Sequence, residues 1–203
     1  MTDAVRWVVF DYGEVLSEPT VEVPNLAALA GAEGAAFSAA YWAERETYDR
    51  GLDGAEYWRR VAAYSAGSVD TQTAAKLTDL DTQGWARTVA ESLTLVRELH
   101  AAGVPMALLS NAPATFARYL ERQDWIALFD HLIVSGDLGY AKPDAAIWAE
   151  LISRLGVPAA EVLFLDDKPT NVAGAREAGL QAEVWPGATS IRPRLVQRGL
   201  LAE

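Results

Sequence analysis

The sequence has no cysteine among its 203 residues, no run of lysine and arginine, and no long apolar stretch. Without cysteine, disulfide bonds, thiolate nucleophiles and cysteine-ligated zinc are excluded, so any covalent intermediate must form on another side chain. The 17 basic and 28 acidic residues give a formal net charge of -11, which opposes binding to a nucleic-acid backbone. No segment approaches the length of about 18 apolar residues that a membrane helix needs. We therefore expect neither nucleic acid nor a membrane as a partner.

The amino-terminal residues 1–12 contain one short apolar run, at 7–10, without the basic flank of a secretory signal. Together with the lack of cysteine, this pattern favours a cytoplasmic location. Hydrophobic residues make up 51% of the chain, and its length fits one domain that carries a sizeable insertion. The composition therefore predicts a folded protein with a buried core rather than a disordered chain.

Short apolar runs alternate with amphipathic segments along much of the chain. The runs are rich in β-branched and aromatic residues, as strands of parallel sheets are. They lie at 5–10, 104–109, 131–134, 162–165 and 180–185. The amphipathic segments between the later runs predict helices, several of which stop at a glycine. This alternation predicts an α/β fold with a Rossmann-like parallel sheet core flanked by helices.

Residues 25–87 differ from the rest because they are alanine-rich and amphipathic and lack a strand pattern. They predict an all-helical cap that is inserted after the first strand. We assign residues 1–16 and 89–203 to the α/β core and residues 17–88 to the cap. Arg50 is open to two interpretations, a surface residue or a specificity residue. Large aromatic side chains in this part are expected to form the interior of the cap: Trp42, Tyr48, Tyr57 and Trp58.

Polar side chains follow three of the predicted strands at the point where each strand ends. They are Asp11 after the first strand, Ser110 and Asn111 after the second, and Asp166 and Asp167 after the fourth. A parallel sheet binds its ligands at the carboxyl ends of its strands, so these groups are expected to meet at one edge. Lys142 lies in the loop that follows the third strand and precedes a helix, and it is expected at the same edge.

This group of residues predicts a metal site. Asp11, Asp166 and Asp167 carry three negative charges against the single positive charge of Lys142, and carboxylates cannot share a pocket as anions without compensation. Magnesium is the cation that fits, because it binds to a few carboxylates and completes its coordination with a substrate phosphate. Lysine, metal and a carboxylate nucleophile together indicate phosphoryl transfer through an aspartyl-phosphate.

Four segments in a fixed order carry a resemblance to a known family. They are VVFDYGEVL at 8–16, LLSNAP at 108–113, SGDLGYAKPDAAIW at 135–148 and VLFLDDKPTNVAGAREAGL at 162–180. This set resembles the haloacid dehalogenase-like hydrolase superfamily with a small helical cap, and DRGLDGAEYW at 49–58 is similar to its cap. The Asp-x-Gly of the first segment is similar to that of the glucose-1-phosphate phosphatases.

The resemblance implies catalytic roles for three residues. Asp11 is the nucleophile that becomes phosphorylated, Ser110 holds phosphoryl oxygens, and Lys142 stabilises the charge of the nucleophile and of the transition state. The implied phosphate-binding residues are Ser110, Asn111 through its backbone amide, Lys142, Tyr12 and Gly13.

The resemblance also implies a magnesium site. Asp11 and Asp167 bind the ion directly, Asp166 binds it directly or through water, and Gly13 contributes its backbone carbonyl oxygen. Asn171 lies behind these ligands and orients a metal-bound water.

The chain departs from the family pattern at Gly13, where most phosphatases of the family carry an aspartate that protonates the leaving group and activates water. Loss of such an acid/base group typically slows catalysis by about 10²- to 10⁴-fold. We expect Glu14, or an ordered water, to substitute in part.

Three functions remain open from the sequence. The first is a Mg²⁺-dependent phosphatase acting on a small phosphorylated molecule such as a sugar phosphate, as a monomer or homodimer. The second is a metal-independent 2-haloacid dehalogenase, although those enzymes resemble Asp-x-Tyr at the first motif. The third is a catalytically weak protein that binds a phosphorylated ligand, which the glycine at position 13 keeps open.

Overall fold

The computed structural model describes residues 4–65 and 67–203. Five strands form one parallel sheet in the order β3-β2-β1-β4-β5. They are β1 (Trp7–Phe10), β2 (Met106–Ser110), β3 (His131–Val134), β4 (Val162–Asp166) and β5 (Gln181–Val184). The strands predicted from the sequence are confirmed to within two residues at each end.

Successive side chains of each strand enter two separate apolar layers. Val8 and Phe10 pack on one face of the sheet with Met106 and Leu108, whereas Val9 packs on the other face. All of these side chains are fully buried. Burial on both faces explains why the strands appear in the sequence as continuous apolar runs rather than as alternating ones.

The first four helices follow β1 in the chain: α1 (Val23–Leu29), α2 (Gly34–Asp49), α3 (Gly54–Tyr64) and α4 (Thr71–Trp85). They surround an apolar cluster of their own. Tyr48, Tyr57 and Trp58 lie in this cluster, as expected, and are at most 1% exposed. The expectation was wrong for Trp42, which is 52% exposed.

The remaining helices cover both faces of the sheet. They are α5 (Ala90–Ala101), α6 (Ala114–Leu120), α7 (Ser135–Leu138), α8 (Ala145–Leu155), α9 (Pro169–Glu177) and α10 (Ala188–Gln197), with 3-10 turns at Asp124–Leu128 and Ala159–Glu161. Helices α5, α6 and α10 pack on one face, and α8 and α9 pack on the other. The predicted α/β fold is therefore confirmed. Within the described residues, no helix has the length and apolar character of a membrane span.

The two chain segments that enter and leave the helical insertion run side by side. Ser17 and Thr88 form an isolated antiparallel bridge, and the Val89 amide donates to the Leu16 carbonyl oxygen over 2.8 Å. The insertion lies between these crossing points, and we propose residues 17–88 as the cap. Residues 1–3, assigned to the core, and residue 66, assigned to the cap, lie outside the described residues.

The carboxyl end of α2 is fixed to the core at several points. Arg50, which follows α2, forms an ion pair with both carboxylate oxygens of Asp144. The Ser135 hydroxyl donates to the Asp49 carbonyl oxygen over 2.5 Å. Gly51 has a φ of 95°, and a Cβ there would lie 2.9 Å from the Gly136 carbonyl oxygen, so this approach requires glycine. These contacts place one face of α2 over the carboxyl edge of the sheet.

Candidate active site

The charged residues predicted to converge do meet at the carboxyl edge of the sheet. Lys142 Nζ lies 2.7 Å from Asp11 Oδ1 and 2.7 Å from Asp166 Oδ2, and it donates to the Leu109 carbonyl oxygen over 3.0 Å. The three protons of the ammonium group therefore have three acceptors. The Lys142 side chain is fully buried, so its charge is held in place by these partners.

Asn111 holds the backbone of Lys142. Its side-chain amide donates to the Lys142 carbonyl oxygen over 2.9 Å, and its side-chain oxygen accepts from the Lys142 amide over 2.9 Å. The Asn111 side chain thus acts as a positioning group for the lysine loop. The phosphate contact expected for Asn111 accordingly stays a prediction for its backbone amide.

Asp166 is fully buried and bonded on both oxygens. Besides Lys142, it accepts from the Lys168 amide over 2.8 Å and from the Asn171 side chain over 3.0 Å at each oxygen. Asn171 therefore contacts an acidic residue of the cluster, at a position that orients it. The side chain of Asp167 is only partly buried and faces the same cleft.

The carboxylates of Asp11, Asp166 and Asp167 offer oxygen atoms that all lie within 4.8 Å of one another. Burial, opposed by Lys142 and aided by the charge of Asp166, raises the pKa of Asp11 from 3.8 to about 7. Burial and the charge of Asp166 also raise the pKa of Asp167. Three carboxylates around one ammonium thus retain excess negative charge, and hard oxygen donors at this spacing fit a magnesium ion.

The turn after Asp11 supplies the next residues of the site. The ring of Tyr12 is buried, and its hydroxyl donates to the Trp85 carbonyl oxygen over 2.8 Å, so any phosphate contact must use its backbone. Of the residues that the structure describes, a Cβ at Gly13 would meet only Trp85, at 3.8 Å, which leaves room for a side chain. Glu14 is exposed, lines the cleft and has a φ of 56°.

Ser110 ends β2 and lines the cleft. Its residue is 2% exposed, and its hydroxyl makes no hydrogen bond within residues 4–65 and 67–203. Helix α6, which follows, has Pro113 at its N-cap and no side-chain cap. The hydroxyl is therefore not used for capping and is available to a ligand.

The opposite side of the cleft comes from the cap, and sequence reasoning did not identify it. Trp42, Arg45 and Asp49 project from one face of α2 at positions i, i+3 and i+7, and Trp85 joins them from the end of α4. We call these four residues the cap wall. The helical spacing was visible in the sequence, but nothing there indicated which face of α2 meets the sheet. On the core side, Phe116 and Lys168 also line the cleft without having been predicted.

Phosphatases are among the curated relatives of this chain. The sesquiterpene phosphatase astK of Aspergillus oryzae is 34% identical over 101 residues, which are 49% of this chain and 51% of the relative. The phosphoglycolate phosphatase of Rhodospirillum rubrum is 33% identical over 148 residues, 66% of this chain and 61% of the relative. The chain therefore matches about half to three fifths of the length of these relatives.

Solved structures share the fold over nearly the whole chain. A predicted HAD-like family hydrolase from Porphyromonas gingivalis has a TM-score of 0.73 at 21% identity, over 96% of this chain and 98% of that one. The L-2-haloacid dehalogenase from Xanthobacter autotrophicus with chloropropionic acid covalently bound has a TM-score of 0.71 at 20% identity. The match covers 98% of this chain and 85% of that one. The model of the haloacid dehalogenase-like hydrolase family matches residues 5–179. The superfamily predicted from the ordered motifs is thereby confirmed, and this chain belongs to the haloacid dehalogenase-like hydrolases.

Proposed function

We propose that this protein is a Mg²⁺-dependent phosphatase that hydrolyses a small phosphorylated metabolite, such as a sugar phosphate, with Asp11 as the nucleophile. The observation that carries the proposal is the buried ammonium of Lys142, 2.7 Å from both Asp11 and Asp166, with the carboxylate of Asp167 alongside. Phosphoryl transfer needs a positioned nucleophile and fixed positive charge around the transferred group. The names of the phosphatase relatives support the same reaction class.

In the proposed reaction, a carboxylate oxygen of Asp11 attacks the substrate phosphorus, and the bond from phosphorus to the alcohol oxygen breaks. Lys142 favours the ionised form of Asp11 and stabilises the charge on the transferred group, while the Ser110 hydroxyl and the Asn111 amide donate to its oxygens. Water then attacks the phosphorus, the bond to Asp11 breaks, and inorganic phosphate leaves. The carboxylate of Asp11 is regenerated for the next cycle.

Asp11, the Gly13 carbonyl oxygen and Asp167 would hold the magnesium ion, and Asp166 would act on it directly or through water. When bound, the ion would offset the excess negative charge of the carboxylates and polarise the phosphoryl oxygens. Asn171 would keep Asp166 oriented through its two hydrogen bonds.

The leaving alcohol must receive a proton, and Gly13 has no side chain to supply it. We propose that Glu14, which lines the cleft, or an ordered water fills this role in part. Replacing Glu14 by glutamine should lower the rate and alter its pH profile. An unchanged rate and profile would exclude Glu14 as the acid.

The acid pair after β4 favours phosphatase over dehalogenase chemistry, because halide displacement by aspartate needs no metal. A protein that only binds a phosphorylated ligand would need the same cleft but would release no phosphate. The three functions therefore differ in metal dependence and in turnover.

The deciding experiment measures phosphate release from p-nitrophenyl phosphate and from a set of sugar phosphates, with Mg²⁺ and with EDTA. We expect release that requires Mg²⁺ and is lost in Asp11→Asn. Asp79, an exposed residue on α4, provides the control, and Asp79→Asn should keep full activity. Halide release from 2-chloropropionate in EDTA would indicate the dehalogenase instead, and ligand binding without turnover would indicate the binding protein.

A further inference from the structure

Arg45 in the cap wall is already neutralised by the cap itself. Its Nε donates to Asp49 Oδ1 over 2.9 Å, and its Nη1 donates to Asp81 Oδ2 over 3.0 Å and to the Tyr41 hydroxyl over 2.7 Å. The exposed fractions of the side chains are 13% for Arg45, 14% for Asp49 and 5% for Asp81. The guanidinium therefore does not stand as a free cation in the cleft.

Two carboxylates against one guanidinium leave the cap side of the cleft with one excess negative charge. Burial raises the pKa of Asp49 to about 6 against the opposing charges of Arg45 and Lys168, so its carboxylate is ionised in a neutral or mildly alkaline solution. In a site of reduced polarity, a like charge placed beside such a group is strongly disfavoured. A leaving group that carries its own carboxylate or second phosphate would meet this excess charge.

The cap wall offers a ligand both a hydrogen-bond acceptor and a hydrogen-bond donor. Asp49 Oδ2 accepts no hydrogen bond and Arg45 Nη2 donates none within residues 4–65 and 67–203. A hydroxyl group both donates and accepts, so it can pair with either atom. A carboxylate only accepts, and it could use Arg45 but not Asp49.

Aromatic rings complete the same surface. Trp42 and Trp85 have ring centroids 6.4 Å apart at an interplanar angle of 90°, and Phe116 lines the cleft from the core side. Such rings offer apolar faces to the carbon atoms of a ring-shaped or extended alcohol without adding charge.

We propose that this cleft takes phosphate monoesters whose alcohol is uncharged and carries hydroxyl groups, and that Asp49, paired with Arg45, rejects alcohols with a second negative charge. The inference rests on the proposed phosphatase function and narrows its substrate class. It distinguishes this chain from the relatives whose printed name is phosphoglycolate phosphatase, since phosphoglycolate carries a carboxylate.

Two matched pairs of substrates test the charge preference. In one pair, glucose 1-phosphate is compared with glucuronic acid 1-phosphate, and in the other, 2-hydroxyethyl phosphate is compared with phosphoglycolate. In each pair, the first compound has a hydroxymethyl group where the second has a carboxylate. We expect kcat/KM to favour the neutral member of each pair by at least about tenfold, which corresponds to about 1.4 kcal/mol. Equal values, or a preference for the carboxylate, would overturn the inference.

The variant Asp49→Asn tests the assigned residue. Asparagine keeps a carbonyl oxygen for Arg45 Nε but removes the negative charge, so the preference should fall to within about threefold through faster use of the carboxylate substrates. Asp79→Asn should leave the preference as it is in the natural chain. A preference that survives unchanged in Asp49→Asn would contradict the role of Asp49.

Binding measurements separate this inference from the phosphatase proposal. If no phosphate is released from any substrate, the phosphatase proposal fails. Calorimetric titration of the chain with the same four compounds still tests the charge preference in that case. Tighter binding of the neutral compounds would support the inference, and equal or weaker binding would overturn it.

Discussion

Each side of the cleft holds one cation among several carboxylates, but the two arrangements differ. On the core side, Lys142 is surrounded by Asp11, Asp166 and Asp167; on the cap side, Arg45 is surrounded by Asp49 and Asp81. Each side buries more carboxylates than cations. The core group lies where strands end on a rigid sheet, whereas the cap group lies between two helices.

The chemistry of the cations explains the difference between the two sides. All three donors of Lys142 are used within the core cluster, and its three carboxylates offer oxygen atoms within 4.8 Å of one another, so the core side calls for an added cation. The planar guanidinium of Arg45 has five donors, lies 5.5 Å from the ring centroids of Tyr41 and Trp85, and forms ion pairs with two carboxylates of the same cap. We therefore propose that the core side carries the metal and the chemistry and that the cap side selects the substrate.

The largest effect is expected from removing the core cation. Lys142→Met leaves Asp11 and Asp166 buried without their shared ammonium, so charge stabilisation is lost and Asp11 becomes a protonated, inactive nucleophile. We expect kcat to fall by about 10³-fold or more, at the upper end of the loss seen for one stabilising donor. The measurement is Mg²⁺-dependent phosphate release, with thermal unfolding to verify that the variant folds. Activity within tenfold of the natural chain would contradict the role of Lys142.

A smaller effect, of opposite sign, is expected from adding an acid to the core side. Gly13→Asp places a carboxylic acid where the cleft has room, and it should speed cleavage of alkyl phosphates by about 10²-fold. Cleavage of p-nitrophenyl phosphate should change little, because its leaving group needs no proton. Gly13→Asn adds a similar volume without an acid and serves as the control. An equal gain with asparagine would contradict acid catalysis as the cause.

Removing the cap cation is expected to act on stability and substrate binding more than on chemistry. Arg45→Met leaves Asp49 and Asp81 without their partner, which should lower the free energy of unfolding by about 3 kcal/mol. Because Arg45 is not among the groups that contact the phosphoryl group in our proposal, KM should rise more than kcat falls. Arg59→Met, on the exposed side of α3, is the matched control. If kcat fell as far as in Lys142→Met, the proposed difference in role between the core side and the cap side would be contradicted.

The smallest effect concerns pH. The pKa of Asp11 is raised from 3.8 to about 7 by burial, so the metal-free folded protein holds a proton that the unfolded chain releases. Stability from this group is thus lost as the pH rises toward about 7. Magnesium must displace that proton near pH 6 but not near pH 8, so it should raise the melting temperature more at the higher pH. Thermal unfolding with and without Mg²⁺ measures this difference, which should disappear in Asp11→Asn.

The sheet and its ligand edge could be predicted from the sequence because their signals are local. Each strand is a short apolar run, and Asp11, Ser110 and Asp166 stand at the ends of such runs. The parallel arrangement then brings these ends together whatever the details of the helices. Lys142 was identified through its loop, and the structure adds that Asn111 fixes this loop.

The cap side could not be predicted in the same way. The sequence indicates that α2 is a helix, but its apolar residues do not specify which turn lies against the core. Trp42 was assigned to the interior of the cap, since large aromatic residues usually lie there, yet it lies in the cleft. The sequence left two interpretations of Arg50, a surface residue or a specificity residue. In the structure Arg50 pairs with Asp144, and it is Arg45, five residues earlier, that lines the cleft.

In the proposed reaction Asp11 carries the phosphoryl group, and chemical trapping shows which residue bears it. The enzyme is mixed with substrate and Mg²⁺, quenched in acid and reduced with borohydride, which converts an aspartyl-phosphate to homoserine. Peptide mass spectrometry then locates the change. We expect homoserine at position 11 when both substrate and Mg²⁺ are present, and unmodified Asp11 when either is omitted. Phosphate release under the same conditions without homoserine at position 11, or with it at another residue, would exclude Asp11 as the nucleophile.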